Sequence, residues 1–239
     1  MGILYRLPYL VLFLLMVSCS KSTTAPSGTE PPVSDTMFNR VITVMNVGAD
    51  RPDTSEPLYD PSIIYFSLET NAVTPVDYKR TSRWDLSFSG TERSFLGGNN
   101  GANNVNLGYQ GPGKGGICIL TQNFDSVIDI PDDAAFRTGS GLIGTDDMGA
   151  YGTGIGYYAY DWGGTLFGDG SYDKQHVAHV LQETRTVVVR TAKGNYAKIK
   201  MLSIYKDELD PSLWQRNSPH PYFSFQYILV KAGSKKFSK

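Results

Sequence analysis

From Val41 onward, apolar and polar side chains alternate with a period of two, a pattern that places successive residues on opposite faces of a pleated strand. Trp84, Leu86 and Phe88 alternate with Arg83, Asp85 and Ser87. Ala197, Ile199, Met201 and Ser203 alternate with Lys198, Lys200 and Leu202, and Phe223, Phe225, Tyr227 and Leu229 repeat the pattern near the C-terminus. Each run reads as a half-buried strand. Further strands are expected at residues 41–47, 63–68, 116–121, 157–161 and 186–191, with Ala192-Lys193-Gly194-Asn195 closing a short hairpin between two of them. Helical signals are scarce. Pro131-Asp132-Asp133 ahead of Ala134, Ala135 and Phe136 marks one short helix, and Asp210-Pro211-Ser212-Leu213-Trp214 a single turn. No repeat and no heptad is present. The expected fold is mostly β: a single antiparallel β domain over residues 36–239, with one or two short helices.

Composition agrees with this pattern. The chain of 239 residues carries 25 Gly, 15 Tyr, 11 Phe and 3 Trp, a mixture suited to short strands joined by tight turns. Its net charge of -1 supplies no electrostatic reason for binding nucleic acid or an anionic membrane surface. The N-terminus reads as an address rather than as fold. Arg6 provides a weak positive region, Pro8 breaks the chain, and residues 9–17 form an apolar run too short to span a bilayer. Residues 1–18 are therefore a signal peptide, and Leu15-Met16-Val17-Ser18-Cys19 has the form of a bacterial lipobox. Cys19 becomes the lipidated mature N-terminus, residues 19–35 a flexible tether rich in Ser, Thr and Pro, and the membrane is met through the lipid anchor alone. Cys118 is then without a partner. It lies in the apolar run GICIL and is expected as a buried small hydrophobe, with no disulfide framework in the chain.

Catalytic signatures are wanting. Gly111-Pro112-Gly113-Lys114-Gly115-Gly116 lacks the Ser/Thr and the helix of a phosphate loop, and Gly152-Thr153-Gly154-Ile155-Gly156 precedes a strand rather than a helix. No G-x-S-x-G elbow and no H-E-x-x-H helix is present. The adjacent pairs Asp132-Asp133 and Asp146-Asp147 point to opposite faces of an extended chain, which suits neither a glycosidase pair nor a calcium loop. What remains is the stretch between Asp146 and the hairpin after residue 185. Met148 stands at one end on a polar loop, and His176 and His179 stand at the other. Between them lie Tyr151, Tyr157, Tyr158, Tyr160, Trp162, Phe167 and Tyr172, flat groups suited to stacking on a flat ligand. Thioether sulfur and imidazole nitrogen both serve as axial ligands of haem iron. On a strand, the three-residue separation of His176 and His179 puts them on opposite faces, so one of the two faces a pocket.

Three strand-rich segments carry a resemblance. They are Ile64-Tyr65-Phe66-Ser67-Leu68, Arg83-Trp84-Asp85-Leu86-Ser87-Phe88, and the run from Thr186 through Arg190, Gly194 and Tyr196 to Lys200; Pro221-Tyr222-Phe223-Ser224-Phe225-Gln226-Tyr227 fits as well. Together they resemble the HmuY-like haem-binding lipoproteins of Bacteroidetes over most of residues 40–232. The resemblance implies a β fold clamping a non-covalent b-type haem between loops, and no enzymatic activity. It further implies haem taken from host haemoproteins and passed to a TonB-dependent outer-membrane receptor, from the outer-membrane surface, its periplasmic face or after shedding. Axial ligands in that family lie about thirty residues apart, the second shortly before the strand that matches residues 186–191. Met148 with His179 fits this spacing, with His176 as the substitute for His179, and Tyr151, Tyr157 and Trp162 are candidate pocket walls. The alternative is a surface lipoprotein without haem that binds glycan or protein through exposed aromatics, for which Trp162 and Trp214 on loops would matter.

Overall fold

The computed structural model describes residue 30 and residues 32–48, 62–146 and 154–237. Eleven strands follow one another: β1 (Val41–Gly48), β2 (Ile64–Ser67), β3 (Ala72–Thr74), β4 (Leu86–Ser89), β5 (Phe95–Gly98), β6 (Gly116–Leu120), β7 (Tyr158–Asp161), β8 (Val177–Val180), β9 (Thr186–Arg190), β10 (Tyr196–Ser203) and β11 (Tyr222–Val230). They form a five-stranded sheet in the order β1-β11-β10-β9-β6, a four-stranded sheet β3-β2-β4-β5 and a two-stranded ribbon β7-β8. Every pairing is antiparallel. The two expected helical sites are single 3-10 turns at Asp133–Ala135 and Pro211–Leu213, and four more such turns bring the described total to six. Among the described residues no helix is long and apolar enough to cross a membrane.

The two larger sheets pack face to face. Inward residues of the five-stranded sheet (Val44, Val187, Val189, Ile199, Phe223 and Phe225 among them) share one apolar cluster with Phe66, Leu86 and Phe88 of the four-stranded sheet. Phe88 stacks on Phe223 with ring centroids 4.4 Å apart, and Phe66 meets Phe225 edge-on at 5.4 Å. Such pairs add to the area they bury, since each ring's positive edge or offset face meets its neighbour's π cloud.

The outer face of the five-stranded sheet is also covered, which the alternation alone did not indicate. Cys118, Val188, Ile228 and Val230 pack there against Phe124, Val127, Phe136 and Phe237 from connecting segments. Burial pushes the Cys118 thiol up to about 12, the behaviour of an inert core sulfur. Lys198, expected on a solvated face, is buried in this second cluster. Its ammonium donates to the carbonyls of Phe124 (2.7 Å) and Val127 (2.8 Å) and lies 4.5 Å over the Phe124 ring. The stem fills apolar space while the head is satisfied by oxygen and π density.

Strand β4 departs from the half-buried expectation in the same sense: all four of its residues are buried, and so is Asp85 just before it. Asp85 sits where the ends of both sheets meet. One carboxylate oxygen accepts the amide of Leu68 at 2.8 Å, with Glu69 N and Ser67 Oγ at 3.4 Å. The other accepts the amide of Ala192, 3.0 Å away in the β9–β10 turn. Glu69, also buried, accepts from Thr191 Oγ1 (2.8 Å) and Asn195 Nδ2 (2.7 Å) of that turn. The turn needs Gly194, whose φ of +92° lies in the region that favours glycine. Burial, reinforced by the Glu69 carboxylate, pushes Asp85 up to about 7 against the opposing pull of the backbone amides.

Two outcomes follow from these buried groups. Lys198→Met keeps the apolar stem but leaves two buried carbonyls without a donor, and should lower stability by about 2–3 kcal/mol in urea unfolding. Asp85→Asn removes an acid whose folded pKa exceeds its unfolded one. In the wild type the folded chain binds the extra proton between about pH 4 and 7, so this group's contribution to stability declines as pH rises through that window. The variant, destabilised by its lost acceptor, should therefore close part of its deficit to the wild type between pH 4 and 7. A deficit that stays constant across a pH series of urea midpoints would refute the assignment.

Candidate functional site

The ribbon β7–β8 packs Tyr158, Val177, Ala178 and Val180 into the main apolar cluster and carries a long connection between its strands, a flap over residues 162–176. Its register sets Ala159 opposite His179 and Asp161 opposite Val177. Asp161 is buried and serves as the anchor of that connection: Oδ1 accepts the amide of Thr165 (3.0 Å), and Oδ2 accepts those of Leu166 (2.9 Å) and Phe167 (3.0 Å). Gly164, at φ +69°, lets the chain pass the backbone of Lys174, where a Cβ would lie 2.7 Å from the Lys174 carbonyl carbon. Lys174 then reaches across to donate to the carbonyls of Ser212 (2.7 Å) and Trp214 (3.1 Å), fixing the flap to the turn at Pro211–Leu213.

These anchors build a groove. Phe167 stacks on the imidazole of His179, with centroids 4.4 Å apart and planes at 23°, and Trp214 closes the other side at 5.5 Å. The groove has a volume of about 270 Å³ and is lined further by Leu181, Thr184 and Pro211. His179 is 7% exposed, and no described residue hydrogen-bonds to its ring nitrogens. Burial, only partly offset by the Asp161 carboxylate and seconded by Lys174, brings its pKa down to about 4. At neutral pH the ring is thus uncharged, with a nitrogen lone pair open to an electrophile or a metal.

The two histidines lie on opposite sides of the ribbon, as their spacing required. His176 precedes β8 in a left-handed conformation (φ +61°), its Nδ1 2.9 Å from the Tyr160 hydroxyl and its ring 4.5 Å from Trp162. Burial and then the Arg216 charge lower its pKa. Trp162 is 70% exposed and belongs to this second cluster, away from the groove. Tyr157 is buried against Tyr158 (5.0 Å), its hydroxyl without a partner; it is part of the core rather than of the groove wall. Met148, Tyr151 and Cys19 lie outside the described residues. Asp146, the last described residue before Met148, forms a 2.8 Å ion pair with Arg185, the neighbour of groove-lining Thr184.

Some parts of the groove escaped sequence reasoning. Trp214, expected on an exposed loop, is fully buried, because the 3-10 turn before it folds the indole against His179 and Tyr205. Phe167 was one ring among many; the signal that singles it out is the carboxylate of Asp161 six residues earlier, able to collect the amides of a glycine-rich turn. Among the described residues no group of three or more His, Cys, Asp or Glu side chains converges as a metal cage. Of the aspartate pairs, Asp133 is taken up by Arg190 (2.8 Å) and Asp146 by Arg185.

Comparison with known proteins bears on this architecture. A protein of Bacteroides vulgatus ATCC 8482 described as HmuY-like and heme-binding shares 13% identity, with 82% of this chain and 94% of that one covered and a TM-score of 0.40. A lipoprotein-like chain of Bacteroides fragilis NCTC 9343 gives 13% identity, 80% and 91% coverage and a TM-score of 0.37. The apo form of a Tannerella forsythia HmuY analog gives 12%, 80% and 95%, and 0.39. No curated protein matches the chain. The family model described as HmuY protein matches residues 60–225, well over half of the sequence, and the chain belongs to the HmuY family.

Proposed function

We propose that this chain is a lipid-anchored haem-binding protein of the outer membrane, held by Cys19, in which His179 and Met148 ligate the iron of a non-covalent b-type haem. It captures haem, with host haemoproteins as a source, and delivers it to a TonB-dependent outer-membrane receptor. The HmuY family is a haem-binding family, and one observation carries the assignment to a residue. His179 offers a neutral imidazole without a described hydrogen-bond partner, between the flat faces of Phe167 and Trp214. An uncharged imidazole between flat apolar groups is suited to a ligand that takes up its nitrogen lone pair.

The residues present fit such a group as one half of a clamp. About 270 Å³ is less than the roughly 300–1,000 Å³ of a pocket that encloses a small molecule, so the groove takes one edge and one axial side of a flat ring. Haem bound there would supply an iron with two axial positions. Phe167 fixes the plane of the His179 ring, Asp161 fixes Phe167 through the amides of its turn, and Trp214 packs on the other side of the imidazole. Met148, two residues after the Asp146 that pairs with Arg185, is the second donor in this reading. His176, bonded to Tyr160, is left as the substitute ligand, and Tyr151 stays a candidate wall.

A second reading has its own observation. Trp162 and Tyr172 are about 70% exposed, at 70% and 68%, on the far side of the flap, a surface suited to stacking on a glycan or partner without haem. A domain that shows no Soret change with haemin but is retarded by a polysaccharide gel would favour that reading.

Titrating haemin into the domain lacking residues 1–19 should give a bound Soret band. His179→Ala should weaken binding at least tenfold, Met148→Ala should shift the band to that of a five-coordinate iron, and His176→Ala should leave both unchanged. Identical bound spectra in all three variants would refute the ligand assignment. Acid gives an independent check, because a proton and iron compete for the same nitrogen. With its pKa brought down to about 4, His179 should hold haem from pH 7 to about pH 5, and the band should collapse only near pH 4. Loss near pH 6.5, an ordinary histidine value, would count against His179.

A further inference from the structure

At the end of the sandwich opposite the groove, a carboxylate from the N-terminal tether lines a small cavity. Glu30 Oε1 accepts from Ser82 Oγ at 2.6 Å, and Oε2 lies 3.1 Å from Lys193 Nζ. The cavity, about 140 Å³, is walled by Thr70, Val73, Tyr78 and Arg83, with the Arg83 guanidinium 4.2 Å over the Tyr78 ring. Lys193 also reaches the buried Glu69 at 3.3 Å, so its single positive charge joins the tether to the acid network under the β9–β10 turn. Burial pulls the Glu30 carboxyl upward, but the Ser82 hydrogen bond and the Lys193 ammonium outweigh it and hold the group below its ordinary value.

Where the strap runs is also defined. From Glu30 it passes to Asp35, whose carboxylate meets Lys231 Nζ at 2.8 Å beyond β11, and on to Phe38, which bridges to Leu229. It thus begins at the edge strand of the five-stranded sheet and ends on Ser82, in the segment leading into the four-stranded sheet. Strand β10 separates this end from the groove: Tyr196 starts beside the turn, and Ser203 finishes two residues before Tyr205, which packs on Trp214. Eight residues of strand measure about 25 Å.

We propose that Ser82 and Lys193 form a carboxylate latch that holds Glu30 of this chain's own tether, closing the sandwich end over Glu69. The chain is then held to the domain at Glu30, ahead of the first strand. The point of attachment lies at the pole opposite His179, so an anchored domain presents its groove away from the membrane. That consequence for the groove rests on the haem and anchor readings; the latch does not.

The test uses the full chain in detergent with Cys19→Ser, a nitroxide on Pro32→Cys, and Cys118 left buried. The label should give a broad, slow-motion spectrum in the wild-type background and a sharp, mobile one in Glu30→Ala and in Ser82→Ala. Thermal unfolding of the same variants forms a cycle: each single substitution should lower Tm by about 2–4 °C, and the double variant should fall no further than the larger single. Equal label mobility in all variants, or additive Tm shifts, would overturn the latch. Ser82→Ala leaves the Lys193–Glu69 contact intact, so its effect reports on Glu30 and not on the buried network. Haemin binding should be unchanged by Glu30→Ala. A wild-type chain that binds no haemin yet shows the mobility difference would sink the haem reading and leave the latch standing.

Discussion

One carboxylate holds the two sheets in register at their common end. Asp85 receives the amides of Leu68 and Glu69 from the β2–β3 turn and the amide of Ala192 from the β9–β10 turn. Without an acceptor there, these buried donors would each be left unsatisfied at a cost of about 1–3 kcal/mol. Everything downstream uses the position so fixed. Strand β9 leaves the turn at a set angle, β8 precedes it by a short connection, and the groove is lined by that connection. The burial that makes Asp85 so effective also raises its proton affinity, so the tie that organises the fold is at the same time its pH-sensitive element.

The groove repeats the device on a smaller scale. Asp161 is a second buried aspartate that gathers three amides, this time from one loop, and it positions Phe167 where a regular hairpin would have put nothing. The ribbon itself is packed into the core through Tyr158, Val177, Ala178 and Val180, and two bonds add to this packing: Ala178 N donates to Tyr205 Oη at 2.9 Å, and Tyr158 Oη lies 3.0 Å from Ser94 Oγ. A site on such an element has its side chains set by the packing of the strands beneath them.

Much of this was legible in the sequence because period two is a local property. The strands around Leu86, Val188, Ile199 and Phe225 fall where alternation and turn residues placed them. Alternation states which residues share a face, however, and not whether the other face is covered. Lys198 and Asp85 were therefore assigned to solvent, and both are buried, because the segment around Phe124 and Val127 covers one face and the β9–β10 turn covers the other. The histidines show the same limit. Their spacing of three could not say which of the two would be enclosed: His179 is, because Phe167 reaches it from 12 residues before and Trp214 from 35 residues after, held by the Asp161 carboxylate and the Pro211–Leu213 turn.

The poles of the molecule differ in chemistry, and the difference explains how one small domain can be both stable and receptive. At the Lys193 pole the buried polar groups find partners: Glu69 has Thr191, Asn195 and Lys193, and Asp85 has its amides. At the His179 pole the walls are aromatic and the imidazole has no described hydrogen bond. A satisfied network resists change because every displacement breaks a bond, whereas an apolar groove around an unused donor gains by being filled. The bonds of Asp85, Glu69 and Lys198 are all made within the chain, so the core that carries the groove is secured without any contribution from His179.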